Sequence, residues 1–141
     1  MLQPARTKYR KAHRDRGQIK KMRATKGTML AHGLYGLKCQ SIGELTSREI
    51  EASRRAIMHH LQRGGKMWIR IFPHKPITKK SPEVPMGSGK GAVEFYACPV
   101  WPGTMLFELD GIDETAAREA FRLGAHKLSV RTKFVKRIET T

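Results

Sequence analysis

Acidic residues are scarce in this sequence, so its charge is strongly unbalanced. The chain has 141 residues, with 12 Asp and Glu against 28 Lys and Arg and a formal net charge of +16 at pH 7. A compact protein with this charge repels itself. A polyanion relieves the repulsion, because its condensed counterions are released on binding. Nucleic acid is therefore the leading expected partner, and an anionic membrane surface is the second candidate.

Long apolar runs and cysteine pairs are also lacking. No run of about 18 apolar residues occurs, which predicts no membrane span. The N-terminus has no apolar run of the secretory kind. Its basic residues also suit a mitochondrial transit peptide, but their density and the absence of an apolar helix face favour an RNA-binding tail. Cys39 and Cys98 form no CxxC pair, which fits a reducing compartment.

The excess charge is confined to the first 80 residues, which predicts an RNA-binding face and a neutral remainder. Residues 1–27 hold ten basic residues, one acid and too few apolar side chains for a core. We interpret them as an extended basic arm that orders on its partner. The rest, residues 28–141, forms one domain. The predicted RNA-binding residues of the arm are Arg6, Lys8, Arg10, Lys11, Arg14, Arg16, Lys20, Lys21, Arg23 and Lys26.

The first elements of the domain are a strand and a helix. Residues 28–39 mix apolar residues with glycines and fit a bent strand or a hairpin. Thr46 and Glu49 then form a capping-box pattern, in which each side chain satisfies a backbone donor of the other. The helix should run to about Arg63, where a Gly-Gly pair ends it.

This helix should have two different faces. Ile50, Ile57 and Leu61 share one side, with Ser53 at its edge, so this side should face the core. The polar side is either an ordinary solvated face or a phosphate-binding surface, and the nearby basic arm favours the second interpretation. The predicted RNA-binding residues here are Arg48, Arg55 and Arg63.

The segment after the helix alternates as a strand does. Met67, Ile69 and Ile71 would point to the core, and basic and aromatic side chains would point the other way. Trp68 and Phe72 could stack on bases or pack beneath a helix, which is the commoner fate of large aromatics. The predicted RNA-binding residues of this strand are Lys66 and Arg70.

Residues 73–91 are predicted to be a long loop, because four prolines and three glycines should exclude regular structure. A loop of this length in a small domain is usually functional or disordered. We predict a functional loop, since its glycines let backbone amides and a cation approach a phosphate closely. The predicted contact residues are Lys75, Lys79, Lys80, Met86, Gly87, Ser88, Gly89, Lys90 and Gly91.

The remaining residues predict two strands, a helix and a last strand. The two strands cover residues 93–100 and 104–109, and Asp113 caps a helix whose small residues suit a close approach to a sheet. The last strand covers residues 129–138. This order predicts an α+β fold, a two-layer sandwich of two helices on a mainly antiparallel sheet, with the arm and the long Pro/Gly loop attached.

No pattern of catalytic residues accompanies this fold. The glycine-rich segment departs from a Walker A loop, since Val84 and Gly91 stand where Gly and Ser or Thr are required. His59 and His60 would point about 100° apart on a helix and have no carboxylate cluster beside them. No Ser or Cys has a nucleophile context. We therefore predict no enzyme, no metal site and no cofactor.

Several stretches of the chain resemble the large-subunit ribosomal protein sixteen family of bacteria and organelles. The most specific motifs are GKMWIRIFPHKP at residues 65–76 and MGSGKG at residues 86–91. The resemblance covers nearly the whole chain in order. Pro85 stands where the family usually has Arg, and His74 where Asp is usual. The other matching segments are residues 1–11, 35–38, 51–56, 117–121 and 126–128.

The resemblance implies a particular place in the cell. It implies binding to large-subunit rRNA near the aminoacyl-tRNA site and the peptidyl-transferase centre, contact with aminoacyl-tRNA and neighbouring large-subunit proteins, and support of late subunit assembly. It implies no membrane partner. The ribosome would be that of a bacterial cytoplasm or of an organelle. The alternatives are an RNA- or DNA-binding protein acting outside the ribosome and a phosphotransfer enzyme using the glycine-rich loop.

Overall fold

The structure, a computed structural model, describes residues 1–14 and 22–138. The predicted contact residues Arg16, Lys20 and Lys21 lie outside the described residues. In the described ranges, neither helix has the length and apolar character that a membrane crossing requires. The elements are β1 Tyr35–Cys39, β2 Gly43–Thr46, α1 Ser47–His60, β3 Lys66–Ile69, β4 Lys75–Thr78, β5 Val93–Val100, β6 Met105–Asp110, α2 Glu114–Ala125 and β7 Thr132–Lys136.

The strands form two antiparallel sheets. One has four strands in the order β3-β6-β1-β7, and the other has three in the order β2-β5-β4. The predicted α+β class is confirmed, with the strands divided between two sheets where the sequence predicted one. The division falls between β5 and β6. These two strands follow each other in the chain, yet they belong to different sheets because β5 pairs with β2 and β4.

Local signals place α1. Thr46 Oγ1 accepts from the Glu49 N–H at 3.3 Å, and the Glu49 carboxylate accepts from the Thr46 N–H at 2.8 Å, so the predicted capping box is confirmed. The helix ends at His60, three residues before the predicted end. Gln62 and Arg63 have φ values of 51° and 61°. This left-handed backbone ends the helix before the Gly-Gly pair is reached.

The two helices pack closely because of small residues on α2. Ser53 Oγ donates to the Gly124 carbonyl at 3.0 Å, and a Cβ at Gly124 would lie 2.6 Å from Ile57 Cγ1. Ile50 and Ile57 are fully buried, as the helical wheel predicted, and Ser53, which it placed at the edge of this side, is fully buried too. The small residues were expected to serve contact with a sheet, and they also bring α2 against α1. Asp113 is the N-cap residue of α2, but its side chain makes no capping hydrogen bond.

The expectation that residues 73–91 contain no regular structure is wrong for their first part. β4 lies within this range and pairs with β5, with Pro76 opposite Tyr96. β4 is an edge strand. A proline is tolerated there because the outer side of an edge strand needs no ladder donor. The irregular segment therefore begins after Thr78, and residues 81–90 are all exposed.

Candidate nucleic-acid interface

The exposed side of α1 is basic. Arg48 and Arg55 are exposed, as predicted, and Arg55 Nε lies 3.1 Å from Glu51 Oε1. Arg54, which the sequence analysis did not single out, lies 2.5 Å from the same carboxylate. The hydrogen bond from Arg54, with help from Arg55, lowers the pKa of Glu51 to about 2. Glu51 is thus ionised at neutral pH and holds two guanidinium groups side by side.

Two open cavities lie along this side of α1. The first has a volume of about 600 Å³, and the second, of about 550 Å³, shares Arg55 and His59 with it. No carboxylate lines the first cavity. The predicted residues Arg48, Arg55 and Arg63 therefore share one surface. The charged and histidine side chains lining the two cavities are Arg48, Glu51, Arg54, Arg55, His59, Arg63 and Lys127.

The described part of the arm contacts the domain at several points. Leu2 packs against the hydrophobic core, and Arg14 Nη2 lies 2.5 Å from Glu44 Oε2 on β2. Residues 1–14 contain neither helix nor strand. In the second described range, which begins at residue 22, the Ala24 N–H donates to the Pro102 carbonyl at 3.0 Å. The predicted arm residues that are exposed are Arg6, Lys8, Arg10, Arg14, Arg23 and Lys26.

The tip of the glycine-rich segment, residues 81–90, has a left-handed backbone around Ser88. Gly87, Ser88 and Gly89 have φ values of 110°, 56° and 103°, and the positive value at Ser88 is a strained conformation of the kind that clusters at functional sites. Lys80 Nζ donates to the Gly87 carbonyl at 2.6 Å and closes the loop. Lys79, Lys80 and Lys90 line a cavity of about 340 Å³ beside this backbone. The predicted contact residues Lys79, Lys80 and 87–91 therefore line one cavity.

The arm and the loop contact each other. Lys90 Nζ donates to the Ala12 carbonyl at 2.6 Å, and Lys11 Nζ donates to the Lys90 carbonyl at 3.0 Å. Two predicted binding regions that are far apart in the sequence are thus neighbours. Lys75 is half-buried at the start of β4, apart from the cavity that the tip encloses. Met86 is 92% exposed.

A third basic surface is the outer face of the four-stranded sheet. Residues directly opposite each other in an antiparallel pair point to the same face, as do alternate residues of one strand. Trp68 pairs with Glu108, and Lys38 pairs with Lys133. Phe72, just after β3, is 43% exposed. The cationic and aromatic residues of this face are Lys38, Lys66, Trp68, Arg70 and Lys133.

Arg70 makes an internal contact on this face. Its Nη1 binds the carboxylate of Glu108 and also donates to the Met29 carbonyl at 3.1 Å. Glu108 is fully buried and accepts from the backbone N–H groups of residues 31–33 at 2.6–3.1 Å. Burial raises the pKa of Glu108, but these N–H groups and Arg70 outweigh it and lower the pKa to about 2. Arg70, predicted as an RNA contact, is 20% exposed and largely engaged within the fold.

The three surfaces offer the chemistry of nucleic-acid binding. Cations and exposed backbone amides bind phosphates, and aromatic rings stack on bases. Within residues 1–14 and 22–138, no three His, Cys, Asp or Glu side chains come together as a metal site would need.

Comparison with known proteins identifies the family. The family model described as "Ribosomal protein L16p/L10e" matches residues 4–135. The chain belongs to this ribosomal protein L16p/L10e family. It is 57% identical over 138 residues to "Large ribosomal subunit protein uL16" of Sinorhizobium fredii and of Rhizobium meliloti, with 98% of each chain covered. The protein of that name from Xanthomonas oryzae pv. oryzae is 57% identical over 137 residues, covering 97% of this chain and 98% of that one.

The match to the L16p/L10e family includes every surface described above. Residues 4–135 take in α1, the glycine-rich tip, β3 and most of the described arm. The resemblance found in the sequence motifs is therefore confirmed over the whole domain, and the chain is a ribosomal protein by family.

Proposed function

We propose that this ribosomal protein is a structural, non-enzymatic component of the large ribosomal subunit, where it binds rRNA. Relatives that are named as large-subunit proteins and match nearly the full chain support this assignment. These relatives are bacterial, which favours the cytoplasmic ribosome of a bacterium. Basic and acidic residues balance in residues 92–141, and the part of their surface that lies away from the outer face of the four-stranded sheet would contact neighbouring ribosomal proteins.

The basic side of α1 is the observation that carries rRNA binding. Three guanidinium groups and a histidine line a cavity without a carboxylate, which suits the closely spaced phosphates of an RNA backbone. The arm would add its exposed cations and become ordered on the RNA. Together these contacts would position the protein without reading the sequence of the RNA, and would support late assembly of the subunit.

The glycine-rich tip would contact aminoacyl-tRNA near the peptidyl-transferase centre. Its ten exposed residues project no bulky ring, and the positive φ values at Gly87, Ser88 and Gly89 keep backbone amides accessible. Lys90 supplies a cation beside them. A loop that only connected β4 to β5 would need neither this strained backbone nor its length.

The test replaces Lys90 with alanine in the full chain and assembles it into large subunits. Lys90→Ala should still enter subunits stoichiometrically, because the Lys90 side chain is exposed and, within the described residues, its one hydrogen bond is to the Ala12 carbonyl. Aminoacyl-tRNA binding and peptide-bond formation should fall about tenfold or more, the loss expected from one charged hydrogen bond. Glycines are left unchanged, because a Cβ at Gly91 would lie 3.0 Å from the Lys79 carbonyl oxygen.

Arg122→Ala is the matched control. It removes one cation from α2, where Glu119 already binds the guanidinium at 2.7 Å, and it should leave both activities unchanged. Normal tRNA binding and translation by Lys90→Ala subunits would make the loop a spacer. Failure of the wild-type protein to enter large subunits would overturn the ribosomal assignment itself.

A further inference from the structure

An irregular segment lies directly on the outer face of the four-stranded sheet. Residues 28–33 precede β1 and cross over it. A Cβ at Gly36 would lie 2.5 Å from Leu30 Cδ2, and one at Gly33 would overlap the Leu109 carbonyl oxygen. Glycine at these two positions lets the segment approach the backbone of the sheet. Its course is therefore set by the sheet rather than by a helix or strand of its own.

Glu108 on β6 binds the backbone of residues 28–33 from the sheet side. The carboxylate accepts three backbone N–H groups from residues 31–33, and Arg70 joins it to the Met29 carbonyl. An ionised carboxylate loses several kcal/mol of hydration on burial, so such a group is stable only when it is fully bonded. An apolar residue at position 108 would fill this part of the sheet without losing hydration. What Glu108 adds, in contrast to an apolar residue, is a set of hydrogen bonds that fixes the conformation of residues 28–33.

That segment presents an aromatic ring to solvent. The exposed His32 ring stacks on Trp68, with ring centroids 5.6 Å apart and planes inclined by 18°. Lys66 Nζ lies 5.1 Å from the centroid of the Trp68 ring. Trp68 itself is half-buried. In this His32–Trp68 stack, His32 is the outer ring.

The surroundings of the stack are cationic. Lys66 lies on β3 with Trp68, and Arg137 Nη2 donates to the Leu30 carbonyl at 3.3 Å. Arg70 follows β3 and is bound to Glu108. Two acids lie on this part of the sheet: Glu108 is fully buried and bound to Arg70, and Asp110, opposite Lys66 in the strand register, accepts from the Gly111 N–H at 2.8 Å. The His32 ring could stack on the base of a nucleotide, and the cations around it could bind its phosphate.

We propose that the His32–Trp68 stack is a nucleobase-binding site, on which an unpaired base of single-stranded RNA stacks against the outer face of His32. Lys66 and its neighbouring cations hold the phosphates on either side of that base. A base within a duplex has no free face, so the site takes an extruded base or one in a loop. The site lies on the face of the sheet away from α2, apart from α1 and the glycine-rich tip. It rests on the proposed rRNA binding and adds base stacking to it.

Two twelve-nucleotide probes separate stacking from phosphate binding: oligoadenylate and an abasic oligomer with the same phosphates. Oligoadenylate should shift the His32 Hε1 NMR signal of the full chain upfield through the ring current of the base, and the abasic oligomer should not. His32→Ala should weaken oligoadenylate binding about 5- to 150-fold, the range for one stacked base. Abasic binding and the salt dependence should stay unchanged, because no phosphate contact is lost.

The variants are chosen so that the fold survives. Only the backbone N–H of His32 binds Glu108, and alanine retains it, so His32→Ala should melt as the wild type does. Trp68→Leu, which removes the support of the His32 ring, should show the same selective loss. His126→Ala is the control, since His126 is exposed at the end of α2.

Three results would count against the proposal. Equal binding of the two oligomers by the wild type, or unchanged oligoadenylate binding by His32→Ala, would overturn base stacking and leave rRNA binding standing. Binding of neither oligomer by the wild type would overturn the nucleobase site, and failure to bind intact large-subunit rRNA in the same assay would overturn rRNA binding as well.

Discussion

At the scale of single residues, Glu108 connects parts of the chain that are distant in sequence. Its carboxylate binds the Gly33 N–H, 75 positions away, at 2.7 Å, and the Arg70 guanidinium, 38 positions away. Removing one partner of such a buried pair leaves the other charge without compensation. The stability of the outer sheet face and the course of residues 28–33 should therefore depend on this one side chain.

The first prediction is that Glu108→Gln destabilises the protein by about 3 kcal/mol or more, the usual cost of breaking a buried ion pair. The glutamine NH₂ group would also face N–H donors in place of an acceptor. Urea unfolding of the free protein measures the effect. Glu119→Gln is the control, because Glu119 is paired with Arg122 at the surface, and it should leave the midpoint nearly unchanged.

Its pH dependence has a defined sign. The pKa of Glu108 is about 2 in the folded protein, against an ordinary value of 4.5. A lowered folded-state pKa gives stability that is complete above about pH 4.5 and is lost as the pH falls toward 2. Glu108→Gln should lose less stability than the wild type over this window. Parallel curves for the two proteins would show that Glu108 is not the group responsible.

The internal role of Arg70 could not be predicted from local sequence. Alternation placed Arg70 on a basic face beside Trp68, and the structure puts both on that face, since Trp68 pairs with Glu108 and Arg70 binds the Glu108 carboxylate. Its partner Glu108 is known only from the register of β3 on β6, which pairs Trp68 with Glu108. For Trp68 the sequence left two alternatives, base stacking and packing beneath a helix. The ring lies half-buried under His32 rather than beneath a helix, and no periodicity links His32 to it.

At the scale of elements, signals within one segment predicted α1, α2 and the long strands. The capping box, the apolar face of α1 and the alternation near Trp68 all involve residues within about three helical turns or one strand. β2 and β4 were not predicted. Each has four residues, and each exists as a strand because it pairs with β5. Such pairing depends on the tertiary fold, and Pro76 argued against it locally.

The second prediction concerns the exposed side of α1. Arg48→Glu combined with Arg55→Glu should weaken binding of large-subunit rRNA and leave the melting temperature nearly unchanged, because both side chains are exposed. A glutamate in the first turn also interacts favourably with the helix dipole. Each phosphate contact that is lost should reduce the slope of log K against log salt by about 0.9 on duplex-like RNA. Filter binding across a salt series measures both quantities.

The control applies the same change of charge to α2. Arg118→Glu combined with Arg122→Glu alters a face where Glu114 and Glu119 bind these arginines at 2.8 and 2.7 Å. It should affect rRNA binding less than the α1 pair does. An equal loss in both double variants would mean that net charge alone matters. An unchanged salt slope in the α1 variant would make that side an ordinary solvated face.

At the scale of the whole molecule, the net charge is concentrated in one part of the chain. The core is formed by the helices, the inner face of the four-stranded sheet and apolar residues of β2 and β5, and the charge excess lies in the first 80 residues. The sequence predicted where the charge lies before any contact was known. It did not predict that the arm and the glycine-rich tip are neighbours through Lys11 and Lys90, because their positions depend on how the arm crosses the domain.

The last prediction is that the arm is ordered by rRNA rather than by the domain. No backbone N–H of residues 2–14 donates to the backbone of another described residue, whereas the Ala24 N–H donates to the Pro102 carbonyl at 3.0 Å. The remaining polar contacts of these residues, through Lys11, Ala12 and Arg14, involve exposed side chains, and exposed ion pairs and hydrogen bonds contribute little. In the free full-length protein, amides of residues 5–14 should therefore exchange at nearly unprotected rates and Ala24 should be protected.

Binding of rRNA should then protect the backbone amides of residues 5–14 and change the protection of Ala24 little. The reason is that phosphates would bind the cations of the arm and release the counterions condensed on the RNA. Peptide-level hydrogen exchange with and without rRNA measures this difference. Raising the salt concentration should remove the new protection, as expected for contacts to phosphates. Strong protection of residues 5–14 before RNA is added would instead show that Arg14 and Lys11 hold a preformed arm on β2 and the loop.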